Sequence, residues 1–226
     1  MSLDRKINRI QFLTGNSLKF IAVLTMVIDH LCKIVLQWLL SNYWGAMADN
    51  GQMSWERFRE IDYFIRFDLQ SIGTIAFPLF CFLLAEGFQH TRSKKRYIGL
   101  MLAFALISEI PFDIGFFSAY SRMEGTFPFY LKYQNVFFTL FLGLLTLVCL
   151  ERFSCESDLP VDRIKSVVLQ VLSVVLFSSI AEGIRCDYGM QGILFISAFY
   201  ICRNHRIYQV PVSYTHLRAH ETELHL

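Results

Sequence analysis

The chain has 226 residues, of which 54% are hydrophobic and 18% are charged, and its mean hydropathy is +0.40. Soluble domains carry about 25% charged residues, so this composition excludes a disordered or collagen-like chain and favours a membrane protein. The formal net charge of +2 provides no basic surplus for neutralising a phosphate backbone. We therefore expect no nucleic-acid partner.

The hydrophobic residues are clustered into six runs along the chain. A helix needs about 20 residues to cross a hydrocarbon core of about 30 Å, so the second, fourth and sixth runs need flanking residues to span it. The runs are continuous rather than alternating, which favours helices over a barrel. The sequence therefore predicts an all-α, polytopic transmembrane helical bundle of about six spans, at residues 18–40, 72–88, 98–117, 136–150, 167–184 and 189–201.

Basic residues are distributed unevenly between the segments that connect these runs. If every run crosses the membrane, three basic segments fall on one side, and such segments favour the cytoplasmic side. The first run is too long for the core of a cleavable signal peptide. We therefore expect an uncleaved multi-pass protein with a cytoplasmic N-terminus. The three segments hold Arg5, Lys6 and Arg9, then Arg92, Lys94, Lys95 and Arg96, then Arg152, Arg163 and Lys165.

The tail differs from the rest of the chain in composition. Residues 212–222 are polar and resemble the translation of a sequencing-library adapter. We therefore expect one native transmembrane domain over residues 1–211, a non-native tail over residues 212–226, and a natural gene that continues into further spans. The histidines of this tail suggest metal binding at first sight. However, no His or Cys pair has ligand spacing, and we expect no metal.

Ionisable side chains inside the runs are candidate functional residues, because each costs a few kcal/mol at membrane depth. Asp29 and Lys33 are four residues apart, which predicts an internal ion pair. This pairing leaves His30 as either a packing residue or a functional one. Glu109 and Asp113 are also four residues apart and predict the wall of a polar cavity. Two classes of function remain open here, namely a membrane enzyme with His30 as its base and a small transporter with a proton relay.

Five blocks of sequence, in order, resemble the TraX family: residues 18–31, 72–92, 105–113, 134–140 and 187–192. That family is named for a conjugation protein that acetylates the N-terminus of the plasmid pilin subunit. The resemblance implies a protein of the bacterial inner membrane, surrounded by the lipid bilayer. It also implies acetyl-CoA as the acyl donor and a pilin-like or cell-envelope acceptor with an amine or a hydroxyl group.

The chain is also similar to the membrane acyltransferases that O-acetylate surface sugars. Those enzymes carry a basic residue, ten intervening residues and a histidine in the first span, as Lys19 and His30 do here. They also carry an Arg-x-x-Arg loop after the second span. This chain departs from that pattern, with Arg92-x-x-Lys95 or Arg92-x-x-x-Arg96, and it is smaller than those enzymes.

These resemblances imply a specific catalytic arrangement. His30 would be the general base for the attacking acceptor, and Glu109 or Asp113 would orient its ring. The coenzyme A phosphates would contact basic side chains, namely Lys19, Arg92, Lys95 and Arg96. The alternative is a small secondary transporter, or a scaffold or accessory protein of conjugation or the envelope, with no catalysis.

Overall fold

The computed structural model describes residues 15–155 and 159–204, and its described part contains six main helices and no β-strand. The predicted adapter-like tail lies outside these residues. Each of the six hydrophobic runs falls within one helix, except that Ile184 of the fifth run directly follows its helix, and this confirms the all-α prediction. The helices are α1 (Gly15–Asp49), α2 (Trp55–His90), α3 (Lys94–Met123), α4 (Val136–Arg152), α5 (Pro160–Gly183) and α6 (Gly189–Ile201).

Four of these helices, α1, α2, α3 and α5, are long and apolar enough to cross a membrane, with 24 to 36 residues each. Helices α4 and α6 are shorter, with 17 and 13 residues. Helices α1 and α2 extend well beyond the runs that predicted them, because π-helical turns and more polar segments continue them. The π-helical turns are Leu31–Leu36, Leu40–Trp44 and Phe64–Leu69.

The chain divides into two compact units, Met1–Leu83 and Leu84–Leu226. In the first unit, α1 packs against the Gln70–Thr74 segment of α2. A small core forms where the buried side chains of Cys32, Leu40 and Ile65 meet. This core packs α1 against α2 close to the candidate residue His30 in the sequence.

In the second unit, α4 is the central helix, because it packs against α3, α5 and α6. Gly143 of α4 lies directly against the side chain of Ile196 on α6, so the two helices approach closely there. The side chain of Asn135 accepts a hydrogen bond from the backbone N–H of Phe137 at 2.9 Å and caps the start of α4. The buried side of α4 carries Thr139, Leu140, Leu142, Leu144, Thr146, Leu147 and Leu150.

The exposure pattern of α5 is the reverse of that in a water-soluble helix. Its buried residues are small, namely Ser166, Ser173, Ser178 and Ala181. Its exposed residues include Val168, Val171, Leu172, Val175 and Leu176. Small residues let transmembrane helices approach one another, whereas large apolar side chains face lipid. The fold therefore has the surface of a membrane protein.

Gly73 is the position where α1 and α2 come closest in the first unit. A Cβ atom at Gly73 would lie 2.5 Å from the Cβ and 2.8 Å from the Cα of Asp29. We expect Gly73→Ala to push the helices apart and to destabilise the protein by about 1–3 kcal/mol. Thermal unfolding in detergent measures this change.

Gly99→Ala is the matched control, since the same added methyl would meet no atom within 4 Å in the described structure. Alanine has the higher helix propensity, so this control should be neutral or stabilising by up to about 1 kcal/mol. Equal unfolding temperatures for the two variants would contradict the close approach at Gly73.

Candidate functional site

His30 lies on α1 with its side chain 45% exposed, while its ring is fixed at one nitrogen. The Nδ1 atom lies 2.9 Å from the carbonyl oxygen of Met26, one helical turn earlier. A carbonyl only accepts hydrogen bonds, so a neutral ring must carry its proton on Nδ1 and its lone pair on Nε2. A ring in this state can accept a proton at Nε2.

Asp29 and Lys33 form the ion pair predicted from their spacing, with Nζ and Oδ2 2.9 Å apart. The Oδ2 atom is also 3.9 Å from Nδ1 of His30. The other oxygen, Oδ1, is buried and has no hydrogen-bond partner among the residues that the structure describes. Lys33 is therefore the cationic partner of the Asp29 carboxylate, as expected from the sequence.

Glu109 and Asp113 lie one turn apart on the buried side of α3, in the second unit. Glu109 accepts hydrogen bonds from the side-chain amide of Asn135 and, at 3.3 Å, from its backbone N–H. Asp113 accepts one from the backbone N–H of Tyr130 at 2.8 Å. The two acids therefore anchor the connection of residues 124–135, which joins α3 to α4. This connection is called the α3–α4 loop below.

Each of these two acids has one carboxylate oxygen that accepts no hydrogen bond in the described part of the chain. Glu109 is 8% exposed and Asp113 is fully buried. The oxygens concerned are Oε1 of Glu109 and Oδ1 of Asp113. Helix α3 continues as one helix past Pro111, between these residues. Their face of α3 is therefore polar and enclosed, while Ile107, Ile110 and Ile114 of the same helix are exposed.

The α3–α4 loop pairs with residues 184–188, which connect α5 to α6. The backbone N–H of Gln134 donates to the carbonyl of Arg185 at 3.1 Å, and that of Asp187 donates to the carbonyl of Gln134 at 2.9 Å. The Tyr133 hydroxyl donates to the Asp187 carboxylate at 3.2 Å, and the Thr139 hydroxyl donates to the Asp187 carbonyl. These bonds fix both connections to each other at one end of the unit.

Two ionisable groups in these connections are held in their neutral forms. Burial raises the pKa of the Cys186 thiol to about 11, and the nearby Glu109 and Asp187 add to this effect, while a hydrogen bond with Thr139 opposes it. Burial followed by the charge of Asp187 raises the pKa of the Tyr133 hydroxyl above its usual range. Both groups therefore stay protonated at neutral pH, and Tyr133 stays a donor. No cluster that could hold a metal ion occurs among the described residues.

Arg92, Lys95 and Arg96 are exposed at the start of α3. Lys94 between them forms an ion pair with Glu151 near the end of α4. This contact brings the basic start of α3 to the end of α4, where Arg152 also lies. One end of the second unit is therefore strongly basic, and the two connections described above lie at the other end.

The predicted site residues thus occupy three places. Lys19 and His30 share α1, and Glu109 and Asp113 share the buried side of α3. The three basic residues lie at the start of α3 or, for Arg92, just before it. Their catalytic and cofactor-binding roles stay predictions. No role was predicted from the sequence for Asn135, Tyr133 or Asp187, although the blocks 134–140 and 187–192 carried the family resemblance. The signal that was missed is an asparagine directly before an apolar run, which is typical of a helix N-cap.

The helices and their lipid-facing surfaces define an all-α helical membrane protein with buried polar residues. A family model described as TraX protein matches residues 14–219. The chain therefore belongs to the TraX family, which confirms the resemblance found in the sequence.

One curated relative is the probable fimbrial assembly protein FimC, serogroup H1, of Dichelobacter nodosus. It is 29% identical over 179 residues, which make up 79% of this chain and 58% of the relative. The chain thus spans a little over half the length of that relative. No solved structure matches the chain.

Proposed function

We propose that this chain is a membrane acetyltransferase that moves the acetyl group of acetyl-CoA to an amine or hydroxyl acceptor. The observation that carries the proposal is the hydrogen bond at the Nδ1 atom of His30. Its Nδ1 is bound to a backbone carbonyl, which directs the lone pair of a neutral ring to Nε2. A base of this kind suits acetyl transfer, because the acceptor loses a proton as it attacks.

The reaction would run as follows. The acceptor nitrogen or oxygen attacks the acetyl carbonyl carbon while Nε2 of His30 takes its proton. The carbon–sulfur bond of the thioester then breaks, and the coenzyme A sulfur leaves with the electron pair and receives that proton. The carbonyl of Met26 orients the ring at Nδ1, whereas a carboxylate, Glu109 or Asp113, was predicted from the sequence for this role.

Lys19 is the proposed phosphate contact on α1. It is exposed and lies eleven residues before His30. This spacing corresponds to about 16 Å along a helix, a span that an extended pantetheine arm covers. Arg92, Lys95 and Arg96 are the other candidate phosphate contacts, since Arg side chains bind phosphate with two hydrogen bonds.

The basic end of the second unit supports a cytoplasmic donor side, because Lys and Arg are enriched on that side of membrane proteins. We therefore propose a multi-pass protein of the bacterial inner membrane with its N-terminus in the cytoplasm. The printed name of the relative, a fimbrial assembly protein, supports a pilin-like or cell-envelope acceptor.

Thermal unfolding with acetyl-CoA tests the proposal directly. We expect acetyl-CoA to raise the unfolding temperature of the detergent-purified protein, because a ligand that binds only the folded state stabilises it. Lys19→Gln should weaken this response. Lys165→Gln, which changes another exposed lysine, should leave it intact.

The competing function is a transporter or an accessory protein without catalysis. Its support is that Glu109 and Asp113 bind loop backbone and an amide, as structural acids do. Such a protein should show no response to acetyl-CoA. A flat unfolding temperature over the whole acetyl-CoA titration would therefore overturn the enzymatic proposal.

A further inference from the structure

A cleft lies at the end of the second unit that is opposite its basic end. Its volume is about 750 Å³, and it is lined by Leu131, Lys132, Gln134, Gly183, Ile184 and Arg185. Its walls are the α3–α4 loop and the end of α5 with the residues that follow. The backbone bonds between Gln134 and residues 185 and 187 tie these walls together, so the cleft is a built feature of the fold.

Arg185 has a backbone conformation that its own side chain does not favour. Its φ is +53°, in the left-handed region, where glycine and asparagine are the usual residues. The turn that ends α5 accounts for this φ, because the N–H of Arg185 donates to the Glu182 carbonyl and the N–H of Cys186 to the Ala181 carbonyl. That turn does not require an arginine, since glycine would form it with less strain.

The Arg185 guanidinium lines the cleft and makes no ion pair with any residue that the structure describes. Lys132 forms an ion pair with Glu124 at 2.6 Å, which raises the pKa of Lys132, whereas the positive charge of Arg185 opposes this effect. Two further acids lie nearby. The Glu182 carboxylate accepts a hydrogen bond from the backbone N–H of Met190 at 3.3 Å, and the Asp187 carboxylate accepts one from the Tyr133 hydroxyl at 3.2 Å.

The lining of the cleft includes two cationic side chains and no acidic one, which favours an anionic ligand. A carboxylate carries one negative charge, whereas a phosphate monoester carries close to two and offers three acceptor oxygens. The phosphate therefore matches two cations better, and the planar guanidinium of Arg185 fits its oxygens with paired hydrogen bonds. Leu131 and Ile184 add apolar walls that would suit the carbon skeleton next to the phosphate.

We propose that this cleft binds a phosphate group, with Arg185 as its main contact and Lys132 as the second. The phosphate comes either from a lipid headgroup or from a soluble phosphate ester. This site shares no residue with the proposed donor contacts and does not depend on acetyl transfer. It gives the second unit a phosphate site at the end opposite its basic end.

The test uses the purified full chain in lipid nanodiscs. Inorganic phosphate is titrated into discs of phosphatidylcholine alone, and in a second arm the discs contain phosphatidic acid. We expect one arm to raise the unfolding temperature, and the arm that does so identifies the source. Chloride at matched ionic strength should give no such shift.

Arg185→Asn is the informative variant, because asparagine accepts the left-handed conformation and carries no charge. It should unfold no earlier than the wild-type protein without ligand, while phosphate binding weakens about tenfold or more. Lys132→Gln should weaken it less. Arg122→Gln is the matched control, since Arg122 lies over the ring of Phe127 and does not line the cleft.

Three results would overturn the proposal. The first is the absence of a shift in both arms. The second is an Arg185→Asn variant that responds as strongly as the wild type. The third is an equal loss of response in Arg122→Gln, which would show that general surface charge causes the effect.

Discussion

His30→Ala should lower acetyl transfer at least about 100-fold, since a general base contributes about 10² to 10⁴ to the rate. Alanine removes Nε2 and its proton-accepting lone pair. The side chain is half exposed and its hydrogen bond with Met26 stays within one turn of α1, so we expect normal folding. The measurement is incorporation of isotope-labelled acetyl from acetyl-CoA into the membrane fraction, with mass spectrometry of the acetylated product.

His90→Ala is the matched control for this variant. His90 is 78% exposed and lies 3.5 Å from Glu86 at the end of α2, and it has no proposed role. Its acetyl incorporation should equal that of the wild type at equal expression. If His30→Ala incorporated as much acetyl as the wild type, His30 would not be the general base. The acetyl-CoA unfolding experiment would still test whether the protein is an acetyltransferase.

Asn135→Ala should destabilise the protein by about 2 to 4 kcal/mol. The variant loses the cap of α4, which contributes about 1 kcal/mol. It also removes the amide that donates to Glu109 and, at 2.9 Å, to the Ala105 carbonyl. Leaving a buried acceptor without its partner costs about 1–3 kcal/mol more. Equilibrium unfolding by a denaturing detergent measures the loss.

Asn42→Ala is the control for Asn135. It makes the same chemical change in α1, where the exposed amide donates to the Trp38 carbonyl at 2.9 Å. Exposed substitutions of this kind change stability by about 0.5 kcal/mol or less. Similar losses for both asparagines would show that the Glu109–Asn135 contact does not stabilise the second unit.

The sequence predicted the helices well because hydrophobic clustering alone determines where a chain can lie in lipid. It also predicted the Asp29–Lys33 ion pair, since contacts four residues apart depend only on helical geometry. The boundaries of α1 and α2 were harder to predict. Their polar flanking segments are helical through π-helical turns and packing, which hydropathy does not register.

Contacts between distant parts of the chain were not predictable from the sequence. Spacing placed Glu109 and Asp113 on one face of α3, but it did not show that Asn135 and the N–H of Tyr130 bind them. The left-handed conformation of Arg185 likewise depends on the turn that ends α5 and on the backbone hydrogen bond between Arg185 and Gln134 of the α3–α4 loop. Such contacts depend on tertiary packing. They join residues that have no characteristic separation in the sequence, so spacing alone does not predict them.

The shortness of α4 and α6 has a consequence for the surrounding lipid. Thirteen residues in α6 extend about 20 Å, which is less than the hydrocarbon thickness of about 30 Å. Leu194 and Ile201 of α6 are exposed, so a bilayer that this helix crossed would have to thin beside it to keep both helix ends in water. Such thinning would make the barrier between the two aqueous compartments narrowest beside α6, which would shorten the distance that the proposed acetyl transfer has to cover.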